Sequence, residues 1–219
     1  MMKAVIFDMD GVIVDSEAQW KAVEAEFFRE TVPGWKDADN DRITGLGVED
    51  LHRFLVKEFD LTMGKVEFLA HCDVSARKVY RDRVDCSEGF LDLARHLKHR
   101  GIRTAIASSS PERWIKIVVE RFELSPLLDT IVSADDVGGK TKPLPDIYLE
   151  AAARLNMPPG ECLAIEDSSI GLLSAKRAGM KVAAFRTAHN EGQDMSTADF
   201  ELGSFAGLDY DRLVSHLRR

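Results

Sequence analysis

Lys3-Ala4-Val5-Ile6-Phe7-Asp8-Met9-Asp10-Gly11-Val12-Ile13-Val14-Asp15-Ser16 is the stretch around which the rest of the chain is organised. Its first five residues predict a short buried strand, because β-branched and aromatic side chains run together without polar interruption. Two aspartates follow, two positions apart, with a glycine next to the second. In extended backbone, residues two apart point to the same side, so both carboxylates face one spot. Gly11 lets the chain turn sharply behind them. Like charges this close repel unless a cation or a shared proton lies between them. The spot is a candidate for metal binding, nucleophilic catalysis or acid–base chemistry. An isolated Asp-x-Asp-Gly is also common in turns, so the rest of the chain has to choose.

Ser16-Glu17-Ala18-Gln19 matches a capping box, and Trp20, Val23, Phe27 and Phe28 recur at helical spacing behind it. A second helix is predicted over 48–59, with Val48, Leu51, Leu55 and Phe59 on one stripe. A weaker pattern runs over 65–84, with Val66, Leu69 and Val79 among its apolar positions. No strand is predicted between Ser16 and Val84. From Phe90 onward, helices and strands alternate. A helix over 90–100 is closed by Gly101, and a strand follows over 102–107. Ser110-Pro111 reads as an N-cap with proline in the first helical position. A strand over 130–133 and a helix from a capping Asp146 to Leu155 come next. Then come a strand over 162–165, a helix over 168–178, a strand over 181–185, an edge strand around Phe200 and Leu202, and a terminal helix over 209–217. Strand–helix alternation predicts an α/β fold, a Rossmann-like parallel sheet with helices on both faces. The helical stretch after the first strand reads as an inserted unit over 16–84, with 1–15 and 85–219 forming the core.

The chain has 219 residues, a size that suits one main domain with a smaller insertion. Its net charge of −8 disfavours nucleic acid and anionic membrane surfaces as partners. An acidic protein that handles phosphate needs a metal ion and local cations. Cys72, Cys86 and Cys162 are scattered and odd in number, which fits reduced packing thiols in a cytoplasmic protein. No apolar run approaches membrane length, and Asp8 and Asp10 interrupt any signal-peptide pattern at the start. A monomer is expected.

In parallel sheets, ligands bind at the carboxyl ends of strands. The predicted strand ends carry Asp8 and Asp10, Ser108, the loop lysines Lys140 and Lys142, and Glu166 with Asp167. Hard cations such as Mg²⁺ take oxygen ligands. Asp8 and Asp167 are the expected direct ligands, with Glu166 a ligand or an outer partner. A carboxylate can attack phosphorus in line, while hydroxyl and ammonium groups balance the charge on the equatorial oxygens.

Asp8-Met9-Asp10-Gly11-Val12 followed by Asp15-Ser16 resembles the first motif of the haloacid dehalogenase-like hydrolases. The strand ending in Ser108 resembles the second. Lys142-Pro143-Leu144-Pro145-Asp146-Ile147-Tyr148 resembles the lysine motif, and Ile165-Glu166-Asp167-Ser168 with Gly171 resembles the acidic motif. All four stand in family order, and together they are specific where each alone is weak. The resemblance implies Asp8 as nucleophile, with Asp10 as general acid and base that also offers its backbone carbonyl to the metal. It implies that Ser108 holds the phosphoryl group and that Lys142 bridges phosphate and Asp8. Asp8, Asp10, Glu166 and Asp167 form the implied Mg²⁺ site. The insertion resembles the family's cap, which closes over the substrate.

Within the family, the chain resembles the capped branch that includes β-phosphoglucomutase and sugar-phosphate phosphatases. The expected activity is a Mg²⁺-dependent phosphatase acting on a small phosphorylated metabolite, a sugar or polyol phosphate, through an aspartyl-phosphate. A phosphomutase is the alternative. Two departures weigh against it: Trp20 stands where that mutase has a histidine, and Gly45-Leu46-Gly47-Val48 offers no cation where it has an arginine. A non-enzymatic phospho-receiver is a third reading, but receivers lack both the second aspartate and the insertion. Trp20, Ser109, Gly45 and Lys78 are candidate substrate-binding residues.

Overall fold

The structure, a computed structural model, describes residues 2–43 and 46–218. Six strands form one sheet in the order β3-β2-β1-β4-β5-β6. They are β1 Ala4–Phe7, β2 Arg103–Ala107, β3 Thr130–Val132, β4 Cys162–Glu166, β5 Lys181–Phe185 and β6 Phe200–Leu202. All neighbours pair in parallel, β6 included. The helices are α1 Glu17–Thr31, α2 Asn40–Ile43, α3 Val48–Phe59, α4 Lys65–Lys78, α5 Phe90–His99, α6 Glu112–Arg121, α7 Asp146–Arg154, α8 Ser169–Arg177 and α9 Tyr210–His216. No helix among the described residues is long and apolar enough to cross a membrane.

The period of two along β1 sends alternate side chains to opposite faces. Val5 and Phe7 pack with Phe90, Leu93, Ile115, Val118 and Leu213, so α5, α6 and α9 cover that face. Ala4 and Ile6 pack with Ile147, Tyr148, Ala151, Leu172 and Ala175, so α7 and α8 cover the other. Every residue of β1 is fully buried, which explains why the strand reads as a continuous apolar run. Strand order reverses on either side of β1 and β4. Their carboxyl ends are the switch point at which such sheets bind ligands.

Between β1 and α5 the chain builds an inserted helical cap from α1 to α4 and a π-helical turn, Val79–Arg83. The outgoing and returning strands of chain lie side by side at its base. Val14 bridges Cys86, Ser87 N donates to Ile13 O at 2.9 Å, and Ser87 Oγ donates to Val12 O at 2.6 Å. Away from the sheet the cap has its own core of Phe28, Val32, Trp35, Ile43, Leu51, Leu55, Leu61 and Phe68.

Four local expectations are not met. Ser16 sits at the N-cap of α1, but its hydroxyl makes no capping bond. It donates to Asp10 Oδ1 at 2.6 Å instead. The N-cap of α6 is Pro111 rather than Ser110, and the N-cap of α7 is Pro145 rather than Asp146. In α4, Val66 is 84% exposed, and Phe68, Ser75 and Ala76 are the buried residues. Leu69 and Val79 do pack inward as the 65–84 pattern suggests, and Val66 alone departs from it.

Candidate active site

Each strand tip at the switch point delivers a polar group. Asp8 follows β1, Ser108 follows β2, and Glu166 ends β4 with Asp167 next to it. Asp8, Glu166 and Asp167 bring one carboxylate oxygen each within 4.8 Å of one another, and all three residues are buried. Lys142 reaches in from the loop before α7. Its Nζ lies 2.5 Å from Asp8 Oδ1 and 2.5 Å from Glu166 Oε1. Tyr148 OH donates to Glu166 Oε1 at 2.5 Å, and Ser168 Oγ donates to Glu166 Oε2 at 3.2 Å. Asn190, fully buried, donates from Nδ2 to the carbonyls of Asp167 and Phe185 and so fixes the backbone at Asp167.

Two glycines make room for these carboxylates. A Cβ at Gly11, whose φ is +76°, would fall inside the van der Waals radius of the Asp167 carboxylate. A Cβ at Gly171 would collide with the Glu166 carboxylate. Both positions are closed to any side chain while the acids hold their places.

Burial raises the Asp8 carboxyl to about 8. Lys142 opposes that shift, and Glu166 and Asp10 add to it. Burial, then the charges of Asp8 and Glu166, hold Asp167 well above the usual carboxylate range. Burial alone would lower Lys142, but Asp8 and Glu166 outweigh it and hold the ammonium above its ordinary value. Three carboxylates and one ammonium leave a formal charge of −2. An all-oxygen, buried donor set with that surplus fits a divalent cation.

Asp10 stands apart from the cation cluster. Its carboxylate accepts from Ser16 Oγ at 2.6 Å and Tyr80 OH at 2.8 Å on one oxygen, and from Ser110 Oγ at 3.1 Å on the other. Burial raises its carboxyl, and these three hydroxyls, Ser16 first, offset part of the shift. The two aspartates thus face one cavity in different states. Asp8 is paired with an ammonium, and Asp10 is surrounded by neutral donors.

The cavity has a volume of about 210 Å³, the size of a small metabolite, and lies between the strand tips and the cap. Asp8, Asp10, Ser108, Ser109, Lys142 and Asp167 line its floor, with Trp20 on the cap side. Trp20 Nε1 donates to Tyr80 OH at 3.2 Å, and its ring lies 5.4 Å from that of Trp114. Ser108 Oγ accepts from the Ser110 amide at 3.1 Å, so it also bonds the loop behind it. Ser109 Oγ is buried with no hydrogen-bond partner among the described residues. Lys78 is not brought to the cavity. It ends α4 and is exposed, because the π-helical turn sends Val79 and Tyr80 inward in its place. Gly45 lies outside the described residues, though Ile43, Leu46 and Gly47 beside it line the chamber. Lys140 pairs at 3.7 Å with Asp146 on the surface. Cys72, also lining the cavity, has its thiol pushed up to about 12 by burial, so it is a neutral wall.

Tyr148, which ends the lysine motif, carries no assigned role in the sequence reading, and Tyr80, Ser110 and Asn190 escape it. No local signal marks these three. Tyr80 is 70 positions from Asp10 and reaches it only through the fold. Ser110 precedes a proline at a helix start and looks like an ordinary cap.

Tyr80→Phe is expected to cut kcat about tenfold with little change in KM. Losing a donor to the Asp10 carboxylate favours its protonated form. The pH–rate profile should therefore move to higher pH, as read from kcat/KM between pH 5 and 9. An unmoved profile would deny the hydroxyl any part in setting Asp10.

A family model described as haloacid dehalogenase-like hydrolase matches residues 2–179. The beta-phosphoglucomutase of Bacillus subtilis is 32% identical over 223 residues, covering 97% of this chain and 94% of that one. The phosphorylated carbohydrates phosphatase of Thermotoga maritima is 28% identical over 180 residues, covering 82% and 83%. The structure of CbbY from Rhodobacter sphaeroides in complex with xylulose-(1,5)bisphosphate is similar at a TM-score of 0.82 and 25% identity, covering 97% of this chain and 99% of that one. With the family model spanning the four strand-tip motifs, the chain belongs to the haloacid dehalogenase-like hydrolase family and is an enzyme of the phosphatase type.

Proposed function

We propose that the protein is a Mg²⁺-dependent phosphatase that hydrolyses a small sugar or polyol phosphate through an aspartyl-phosphate on Asp8. One observation carries the reading. A carboxylate bonded to Lys142 within a buried three-carboxylate cluster stands two residues from a carboxyl ringed by three hydroxyls. Phosphoryl transfer to a side chain needs that pair: a nucleophile, which Lys142 together with a bound cation would hold ionised against burial, and a separate proton donor. An Asp8 oxygen forms the bond to phosphorus as the ester oxygen leaves, and Asp10 gives that oxygen its proton. Asp10 then takes a proton from water, which attacks phosphorus and frees Asp8 and inorganic phosphate. Lys142 and Ser108 balance charge on the phosphoryl oxygens. Asp8, Glu166 and Asp167 would hold Mg²⁺, with the Asp10 carbonyl as a further ligand, and the ion would supply positive charge at those oxygens. Residues 16–84 act as the cap that excludes water, over a core of 1–15 and 85–219.

The similarity to a beta-phosphoglucomutase keeps a mutase as the second reading. Incubation with β-glucose 1-phosphate separates the two, since free phosphate supports the phosphatase and glucose 6-phosphate the mutase. Steady release from p-nitrophenyl phosphate would exclude a receiver. Removing divalent cations should abolish that release and Mg²⁺ should restore it. Mg²⁺ at 100 times its Kd should stabilise the fold by about 2.7 kcal/mol, a Tm rise of roughly 5–10 °C for this chain length. Asp167→Asn should erase most of the rise, and an unchanged rise would place the ion elsewhere.

A further inference from the structure

The chamber has a second end, on the cap, and its charges are unusual for an enzyme acting on phosphates. Glu17, Trp20, Lys21 and Glu24 of α1 all line it. They stand at helical spacing on one face. Lys21 lies 3.5 Å from Glu17, so its charge already faces an anion. Lys142, the other lysine lining the chamber, is bonded to Asp8 and Glu166. No arginine lines the chamber among the described residues.

Glu24 is left over. It is half-buried on the chamber wall and makes neither a hydrogen bond nor an ion pair among the described residues. Burial, then the nearby Glu17, push its carboxyl up to about 7, which is what a carboxyl without a donor or cation shows. An unpartnered carboxyl in a substrate chamber is costly unless the ligand supplies its donor. Trp20 and Trp114 flank the same space and offer flat apolar surface to the carbon side of a polyol. A second phosphate there would meet one or two carboxylates and no free cation.

We propose that Glu24 is a specificity residue, which accepts hydrogen bonds from hydroxyls at the non-phosphorylated end of the substrate and excludes substrates with a second phosphate. This rests on the phosphatase reading and narrows it to monophosphates. The contrast is with the Rhodobacter sphaeroides CbbY structure, solved in complex with a bisphosphate.

The test uses p-nitrophenyl phosphate turnover as reporter, at fixed free Mg²⁺. Competitive inhibition constants are measured for two matched pairs: glucose 6-phosphate with glucose 1,6-bisphosphate, and fructose 6-phosphate with fructose 1,6-bisphosphate. Wild-type protein should bind the monophosphates at least about tenfold more tightly, the effect of one unrelieved like charge. Glu24→Gln, which keeps shape and removes charge, should shrink the gap to about threefold or less. Glu24→Lys should reverse it. A wild-type preference for bisphosphates overturns the proposal, as does a gap that neither variant changes. No reporter turnover by the wild-type protein would instead sink the phosphatase reading itself.

Discussion

Asp8→Asn should lower turnover of p-nitrophenyl phosphate by about 10³-fold or more while the protein stays folded. The amide has nearly the shape of the carboxylate but cannot carry its charge, so it attacks phosphorus poorly. Asp8 lies at the tip of a fully buried strand, 2.5 Å from the Lys142 ammonium. Two neighbouring carboxylates are committed to other partners. Asp10 is held by Ser16, Tyr80 and Ser110, and Glu166 by Lys142, Tyr148 and Ser168. Stability should not fall with activity. Asp8 is one of three crowded carboxylates whose burial is already unfavourable, and neutralising it relieves repulsion. Steady-state rates with and without Mg²⁺, alongside a thermal melt, check both halves. Retained turnover would remove Asp8 from the role of nucleophile, whatever else it binds.

Lys142→Met should be the most destabilising substitution in the site, by about 3–5 kcal/mol, or roughly 10 °C in Tm. The side chain is 5% exposed and touches two carboxylates that are 9% and 0% exposed. Methionine has the length but no charge, so Asp8, Glu166 and Asp167 would share a buried pocket with no counter-ion. The expected rescue is specific. A divalent cation restores part of the lost charge balance, so the drop measured in chelator should shrink when Mg²⁺ is added. Activity should stay low in either condition, because no ammonium faces the phosphoryl oxygens. A melt within 2 °C of wild type in chelator, a margin of about 1 kcal/mol, would mean that the cluster is not held together by this charge.

Much of the fold was legible because its signals are local. Val5, Ile6 and Phe7 announce a buried strand by composition alone, and helix–strand alternation after Phe90 follows from periods of 3.6 and 2. The strand-tip acids were legible because a parallel sheet sends its loops to one edge. What stayed hidden depends on competition between partners. Ser16 carries a capping-box signature, yet its hydroxyl is turned to donate to the buried Asp10 carboxylate and receives no helix amide. Ser110 yields its capping role to the same acid. Tyr80 was hidden for another reason. The α4 helix passes into a π-helical turn at Val79, which shifts the register, so no constant period shows which residues there point inward. Lys78, beside that turn, faces solvent for that reason. Val66, counted inside by the pattern over 65–84, lies in the first turn of α4, well before the π-helical turn, and is exposed.

The small core inside the cap has a consequence for how the enzyme can change. Phe28, Trp35, Leu51, Leu55 and Phe68 pack on one another, away from the side chains that cover the sheet. A replacement among them is absorbed inside the lid and leaves the strand tips where they are. Asp8, Lys142 and Asp167 answer to a different set of neighbours. The machinery that breaks the ester and the wall that admits it can therefore drift at separate rates. One sheet can then host many lids, each tuned to another metabolite.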